Sequence, residues 1–571
     1  MFVVQLSVAQ SPTPQSHTPQ SPTEWTKSLV SNDYSAGRGI TIDTQGDAYI
    51  SGVYRDDISL GNNSKYQLTN RGKSDIVLIK VSASGEPMWM RNIGGAGEDL
   101  AFRIKSDQTD NVFLTGSFER VISFEDNDDT HTLESAGKED MFLAKFDRDG
   151  KIAWSVQSGG TKSDQGVGLA VDTQGNIYVS GFFEETAFFG KQRQVSLTSN
   201  GQLDVYVSKY SSEGDLIWAR SLGGARKDVA PGIAVNEKGE VFITGLTRGP
   251  GSFLNVDADI IKGIPQGQED LFIARFSQAG ELNQIVYAGG RGFDAGNAID
   301  VDGSGNIYVA GYFEEEASLN DFHGTPYIIE GKSFDLFVSK YKSDGSLAWV
   351  QTAGGDQWDN AYDISVNDQG DVYVTGLFRK SADFTGNKTP DVEGTGEANA
   401  FVARYNTNGL LAGLKVIDGA KSEGASIATN IEGDVFLTGL FFRDASFDIN
   451  QAPLTSSVFN SFIVKYNAQG FDNILPEDFH PVDKSTIVLA QNYPNPFTAH
   501  TSFEFEVLET TQVRLIIHDT LGRVLREIDN GELASGVYRF FYDASQLAHG
   551  TYFFTVETPL ARITKTMTVI P

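Results

Sequence analysis

Residues 159–190 read GGTKSDQGVGLAVDTQGNIYVSGFFEETAFFG, and residues 203–218 read LDVYVSKYSSEGDLIW. Four short runs rich in β-branched and aromatic residues stand out, at 168–171, 176–182, 204–210 and 216–220. Each has the length of a strand rather than a helix. Turn chemistry separates them. DTQG at 172–175 suits an Asx turn closed by a left-handed glycine, and SEG at 212–214 suits a hairpin loop with Gly at its αL position. The unit is a run of four antiparallel strands.

The chain repeats this unit seven times. The glycine after the second strand falls at Gly52, Gly116, Gly181, Gly245, Gly311, Gly376 and Gly439, at spacings of 64, 65, 64, 66, 65 and 63 residues. Eight residues further on stands a large apolar side chain: Leu60, Phe124, Phe189, Phe253, Leu319, Phe384 and Phe447. The third strand carries a basic residue in every copy: Lys80, Lys145, Lys209, Arg275, Lys340, Arg404 and Lys465. Register held over so many copies marks one supersecondary unit repeated rather than independent domains. Four-stranded units arranged radially hide their strand edges, which predicts a β-propeller. About 20 residues separate strands two and three, which makes the unit longer than a WD40 blade of roughly 40–45 residues. The apolar side chain eight residues after the glycine is expected to pin that connection.

The ends indicate closure. Repeat seven has a third strand at 462–466 but no clear fourth, whereas WTKSLV at 25–30 matches the fourth-strand pattern around Trp154 and Trp218 with no unit before it. The N-terminal strand is therefore expected to complete the last blade. The fold expected is all-β: a seven-bladed β-propeller over 25–473, with a parallel solenoid as the alternative.

Forty-five basic residues against 75 acidic leave a formal charge of −30 over 571 residues. Such a surface repels phosphate backbones, which excludes nucleic acid as a partner class. With no cysteine, disulfides, thiolate metal sites and a lipid-modified cysteine anchor are excluded. No apolar run reaches the roughly 18 residues of a membrane-spanning helix. Residues 1–24 are expected to be a residual signal peptide, with SVA at 7–9 before a cleavage point, and a Ser/Thr/Pro/Gln-rich spacer. A disordered N-terminus is the alternative.

Two resemblances attach to these motifs. VDTQGNIYVSGFF at 171–183 and VDGSGNIYVAGYF at 301–313 resemble a bacterial β-propeller repeat family rich in D-x-x-G-N-x-Y-V-x-G. That resemblance carries a fold and no catalytic residues. After an acidic, Pro-containing linker at 474–484, residues 485–571 change style, with alternating strand patterns at 502–507, 512–518, 536–543, 550–555 and 563–569. LAQNYPNPF at 489–497, DTLGR at 519–523, LASGVY at 533–538 and LAHGTYF at 547–553 resemble the type A C-terminal sorting domain of the type IX secretion system of Bacteroidetes. The resemblance implies a small immunoglobulin-like β-sandwich that acts as an export address. It also implies the type IX machinery as partner and the outer-membrane surface or the extracellular space as destination. His518 stands where Tyr is common in that family, and the tail ends in VIP.

Among polar constellations the most regular is Gly-Gly-x-x-x-Asp before the first strand. It gives Asp99, Asp164, Asp228, Asp294 and Asp359, with Glu423 in repeat seven and Ser35 in repeat one. A rim of carboxylates suits Ca²⁺, which takes oxygen ligands. The competing reading has each Asp cap backbone N–H groups or pair with the basic residue of the third strand. Recurrence in nearly every repeat favours this framework role. Asp43, Asp107, Asp172, Asn236, Asp302, Asn367 and Asn430 are Asx-turn residues, and Trp89, Trp154, Trp218 and Trp349 are packing residues.

Asp126, Asp128 and Asp129 form an acidic loop suited to Ca²⁺ or simply to solvent. Glu184 with Glu185, and Glu314 with Glu316, have the residue type for glycoside hydrolysis, which needs carboxylates about 5–9.5 Å apart. GKS at 72–74 and at 331–333 lacks the first glycine of a phosphate loop, and the seven His residues share no repeat position. No catalytic constellation is legible. The sequence is read as an exported binding or adhesion module without enzymatic activity or a required cofactor, with a glycan or protein ligand on the propeller face. A carbohydrate-active enzyme on the same scaffold and a structural surface component are the alternatives.

Overall fold

The structure, a computed structural model, describes residues 23–570 apart from 62–64, 126–129, 249–259, 264, 387–391, 448–451, 469–486, 490–494, 508–509, 520–522, 535, 545–546 and 559–561. Residues 1–22 of the expected signal peptide and spacer, and the expected linker at 474–484, lie outside the described residues. The chain divides into two compact units, Met1–Ile474 and Leu475–Pro571. Both are all-β.

In repeat three, Asp164–Val171, Ile177–Phe183, Asp204–Tyr210 and Leu216–Leu222 pair antiparallel in sequence order. Gly175 and Gly214, both at φ 77°, take the left-handed conformation that the two turns require. The first strand starts four residues before the apolar run, at Asp164 rather than 168, because a bulge between Gly166 and Gly168 breaks the alternation. Among the described residues seven such four-stranded sheets form. The last takes Thr23–Ser31 as its outer strand, antiparallel to Leu454–Tyr466 with Trp25 opposite Lys465 and Ser28 opposite Phe462. The N-terminal strand thus completes the final sheet, as the pattern around Trp25 predicts.

Neighbouring sheets are also stitched. Four residues after the repeat glycine the backbone turns left-handed, at Asp56, Arg120, Glu185, Glu315, Lys380 and Arg443 with φ of 59–68°. Beyond that point the chain pairs with the outer strand of the preceding sheet, as Ala187 with Gly160, Phe124 with Ile93 and Leu60 with Leu29. This explains the second glycine of Gly-Gly. A Cβ on Gly95, Gly160, Gly290 or Gly355 would run into the carbonyl oxygen of Val121, Thr186, Glu316 or Ser381 in the adjoining sheet. The side chains eight residues after the repeat glycine are buried: Leu60, Phe124, Phe189, Leu319, Phe384 and Phe447 are at most 6 % exposed. Phe253 lies outside the described residues.

The core lies between consecutive sheets, where Phe113, Met141 and Leu143 of repeat two meet Leu169, Val179 and Tyr206 of repeat three. Five of the six indoles close such interfaces: Trp25, Trp89, Trp154, Trp218 and Trp349 donate Nε1 to Ala83, Arg148, Ser212, Gln278 and Thr407 carbonyls in the next repeat, at 3.1–3.3 Å.

In the C-terminal unit, Ile487–Leu489, His500–Val507 and Gly536–Asp543 form one sheet. Val524–Leu533, Thr511–Asp519, Gly550–Glu557 and Arg562–Val569 form a second. Phe503, Phe505, Leu515, Phe554 and Val569 fill the space between them. Val524–Leu533 escapes the sequence reading because its acidic and polar residues hide the alternation. No described helix is long and apolar enough to cross a membrane.

Candidate functional site

Asp99, Asp164, Asp228, Asp294 and Asp359 are at most 1 % exposed. One carboxylate oxygen of each accepts the N–H of the second glycine, from Gly95, Gly160, Gly224, Gly290 and Gly355 at 2.7–2.8 Å. They therefore cap backbone, and they do not pair with the basic residue of the third strand. In most repeats that residue reaches the turn between strands one and two, as in Lys80 with Asp43 (2.9 Å), Arg404 with Asp371 (2.7 Å) and Lys465 with Asp434 (2.9 Å), whereas Lys145 and Lys340 donate to the Ser212 and Thr407 carbonyls of the next repeat.

Glu423 is not the sixth member of this set. Asp99 stands opposite Phe118, two residues past the repeat glycine; the residue in that register in repeat seven is Ser422, opposite Phe441. A bulge between Gly419 and Lys421 shifts the count by one. Glu423, half-buried, faces Lys421 at 3.6 Å instead.

The sequence reading missed the partners of these aspartates. The apolar runs of the third strands are headed by Asp75, Asp140, Asp204, Asp270 and Asp335, then Asn399 and Asn460, all buried. Each of the five aspartates comes against the first-strand aspartate of the next sheet. A Cβ on Gly159 would lie 2.6 Å from Asp140 Oδ1 and 3.0 Å from Asp164 Oδ2, and one on Gly289 would lie 2.7 Å from Asp270 Oδ1 and 2.9 Å from Asp294 Oδ2. Burial raises the carboxyl of Asp164 to about 8, with the Asp140 charge adding to it. Burial likewise raises Asp99 to about 8, Asp294 to about 7 and Asp140 to about 6. A recurring Asp ahead of each third-strand apolar run was the available signal, but connections of unequal length obscure its spacing.

The turn residues act as Asx caps: Asp43 Oδ1 accepts the N–H of Gln45 and Asp47 at 3.0 and 2.9 Å, and Asp172 and Asp302 do the same for their turns. Glu185 and Glu315 occupy the left-handed bulge of their repeats. Glu185 meets Lys162 at 3.1 Å, and Glu314 accepts the Phe293 N–H at 3.0 Å. Asp126, Asp128 and Asp129 lie outside the described residues. Among the described residues no three acidic or histidine side chains surround one metal position; the carboxylates meet in pairs.

Symmetry breaks at the centre. First strands of all seven repeats line one cavity of about 350 Å³, through Arg38, Phe102, Val167, Pro231, Asn297, Tyr362 and Ala425, with Arg103 and Glu423 beside them. Arg103 lies 3.8 Å from Asp363, whose other oxygen accepts Ser426 Oγ at 2.7 Å. Among the described residues half-buried Arg38 reaches only the Tyr34 hydroxyl, at 3.4 Å. The same structural position thus carries cationic, aromatic, amide and aliphatic side chains around one opening.

Comparison with known proteins separates the two units. Residues 153–181 match the family model of a β-propeller repeat. Residues 491–570 match that of the secretion system C-terminal sorting domain. The chain carries a type IX sorting domain. Export to the cell surface or beyond follows from it. In this sorting domain the two matching motifs, LASGVY and LAHGTY, have one structural basis. The Tyr538 and Tyr552 hydroxyls each donate to a carbonyl four residues back, Ala534 and Ala548, at 2.9 Å. His518 stacks on Phe553 at 5.4 Å and lies 3.1 Å from Thr555 Oγ1.

More distant likenesses exist. An uncharacterised WD repeat-containing protein of Acanthamoeba polyphaga mimivirus is 20 % identical over 491 residues, 70 % of this chain and 35 % of its own. Regulatory protein FlaEY of Caulobacter vibrioides is 21 % identical over 334 residues, 52 % of this chain and 34 % of its own. The chain spans about a third of the length of these relatives. Among solved structures, PorZ, a surface component of the type IX secretion system of Porphyromonas gingivalis, aligns at a TM-score of 0.21 and 12 % identity, over 94 % of this chain and 81 % of that one. A duf4221 family member from Bacteroides vulgatus aligns at 0.31 and 9 %, over 78 % and 98 %.

Proposed function

We propose that the protein is an exported binding module: a closed seven-bladed β-propeller that presents its channel mouth to a ligand, delivered by an immunoglobulin-like sorting domain. The observation that carries this reading is the contrast between positions. Turn caps, bulges and inter-sheet aspartates recur from repeat to repeat and serve the framework. Around the mouth, the equivalent first-strand positions hold Arg38, Phe102, Asn297 and Tyr362. Variation at equivalent positions of an otherwise regular scaffold is what a specific site requires, because a ligand without sevenfold symmetry needs different contacts on each side. A cationic guanidinium, two aromatic rings and an amide suit stacking and hydrogen bonding to a sugar or a peptide.

We propose no catalytic role. Paired acids flanking a bound sugar are the requirement for glycoside hydrolysis, and the acids singled out for it are engaged elsewhere, Glu185 with Lys162 and Glu314 with the Phe293 N–H. Binding of the purified chain to glycan and peptide arrays tests the proposal. Arg38→Ala and Tyr362→Ala should abolish any signal while leaving the melting temperature near wild type. A ligand that binds both variants undiminished places the site elsewhere.

A further inference from the structure

The inter-sheet pairs differ in charge around the ring. Five are Asp with Asp, the third-strand residues 75, 140, 204, 270 and 335 against first-strand residues 99, 164, 228, 294 and 359. The remaining two are neutral, Asn399 with Ser422 and Asn460 with Ser35. The neutral pairs carry no charge to compensate, although the buried Asn399 Nδ2 meets no acceptor among the described residues. Ser35 Oγ lies 3.2 Å from Asn460 Oδ1, which also accepts the Ser31 N–H at 3.0 Å. Ser422 Oγ accepts the Ala400 N–H at 2.9 Å and donates to the Ile417 carbonyl at 2.7 Å.

Of the charged pairs, Asp270 with Asp294 accepts donors at all four oxygens, from Gln266, Gly267, Glu314 and Gly290; the other four pairs do not. Among the described residues, Asp75, Asp99, Asp140, Asp164, Asp204 and Asp335, at most 7 % exposed, each keep one buried oxygen, Oδ1, that meets no hydrogen-bond donor. The second oxygen of each accepts a backbone N–H, from Arg71, Gly95, Ala136, Gly160, Asn200 and Lys332 respectively. Carboxylates buried face to face with donor-free oxygens need a positive partner. Space for one exists beside two of the pairs: a cavity of about 180 Å³ is lined by Asp335 and Gly354, and one of about 420 Å³ by Asp140 and Gly159. The cationic side chains that also line them are engaged elsewhere, Lys332 with Asp356, Lys191 with Asp215 and Arg193 over the Phe188 ring.

We propose that four of the aspartate pairs, Asp75–Asp99, Asp140–Asp164, Asp204–Asp228 and Asp335–Asp359, are cation sites, each holding a Ca²⁺ ion between consecutive sheets. Two carboxylates neutralise one divalent ion, both donors are hard oxygens, and water supplies the remaining positions of the six to eight that Ca²⁺ takes. The two neutral pairs flank the sheet that contains the N-terminal strand, so the sheet that closes the ring depends on no ion.

The test is thermal melting of the full chain, first stripped with EDTA and then titrated with CaCl₂ near pH 8, against MgCl₂ and NaCl at matched ionic strength. Site-bound Ca²⁺ stabilises the native state by mass action, so the melting temperature should rise and saturate at about millimolar Ca²⁺, by several degrees. Mg²⁺, which resists dehydration, should do far less. Asp335→Asn combined with Asp359→Ser copies the Asn460/Ser35 pair that this fold already accommodates. By calorimetric titration it should bind one Ca²⁺ fewer than wild type. Three results overturn the proposal: a wild-type melting temperature indifferent to Ca²⁺, a double variant that binds as much Ca²⁺ as wild type, or a melting temperature that falls from about pH 5 to 8 equally with and without Ca²⁺, which assigns a shared proton to the pairs.

Discussion

Lys80 lies 2 % exposed between the Asp43 and Asp47 carboxylates, at 2.9 and 3.2 Å, with its ammonium 4.7 Å from the centroid of the Tyr49 ring. Burial alone would lower its pKa; hydrogen bonds to Tyr49 and Asp43 outweigh it and hold the ammonium above its ordinary range. Lys80→Met should therefore cost about 3–5 kcal/mol, because it strands buried carboxylates. Lys145 occupies the same repeat position, but its ammonium meets no carboxylate among the described residues: it donates to the Ser212 carbonyl at 3.2 Å and lies 5.6 Å from the centroid of the Phe113 ring. Lys145→Met should cost about 1 kcal/mol, the worth of one hydrogen bond; urea unfolding of the two variants reads the difference.

The aspartate pairs give a second prediction, for chelated protein. Their folded-state values, about 8 for Asp99, Asp164 and Asp359, exceed that of an unfolded Asp. The native state then keeps protons that the unfolded chain has released, so stability falls as pH rises from about 4 towards 8. Urea midpoints in EDTA across that range check the sign.

At this scale the sequence was legible where chemistry is local. Asx turns, left-handed glycines and the Gly-Gly motif follow from neighbours in the chain. The meeting of Asp140 with Asp164 does not, since it depends on how two sheets stack. The bulge that exchanges Ser422 for Glu423 leaves no mark in residue type.

Among the elements, the N-terminal strand is the most exposed to test. Trp25 is 8 % exposed, packs edge-on against Phe436 at 6.2 Å and donates to the Ala83 carbonyl at 3.1 Å, while Leu29 on the same strand is fully buried. Trp25→Ala should cost about 3–5 kcal/mol, and the half-buried Trp89→Ala distinctly less. Equal effects in urea unfolding would contradict the closing role of Thr23–Ser31. This strand could be read from the sequence because it completes a count that the last repeat leaves short. The stitching between sheets could not. An apolar residue eight positions past the glycine reports that the connection is held down, but not that it pairs with the previous sheet's outer strand.

For the whole molecule, two compact units with separate cores, Met1–Ile474 and Leu475–Pro571, divide the repeats from the export address. The first builds its sheets and their closure entirely from its own strands; the second contains the matched sorting domain. The sequence disclosed both, the first through its period and the second through its motifs. It disclosed no ligand, because the mouth residues are defined only once seven first strands surround one cavity. Fractionation of a host with type IX machinery tests the division most directly, comparing the full chain with one that stops at Ile474. The full chain should reach the cell surface or medium, and the shortened chain should fold but remain in the periplasm. A shortened chain found outside the cell at the full-length yield would contradict the account.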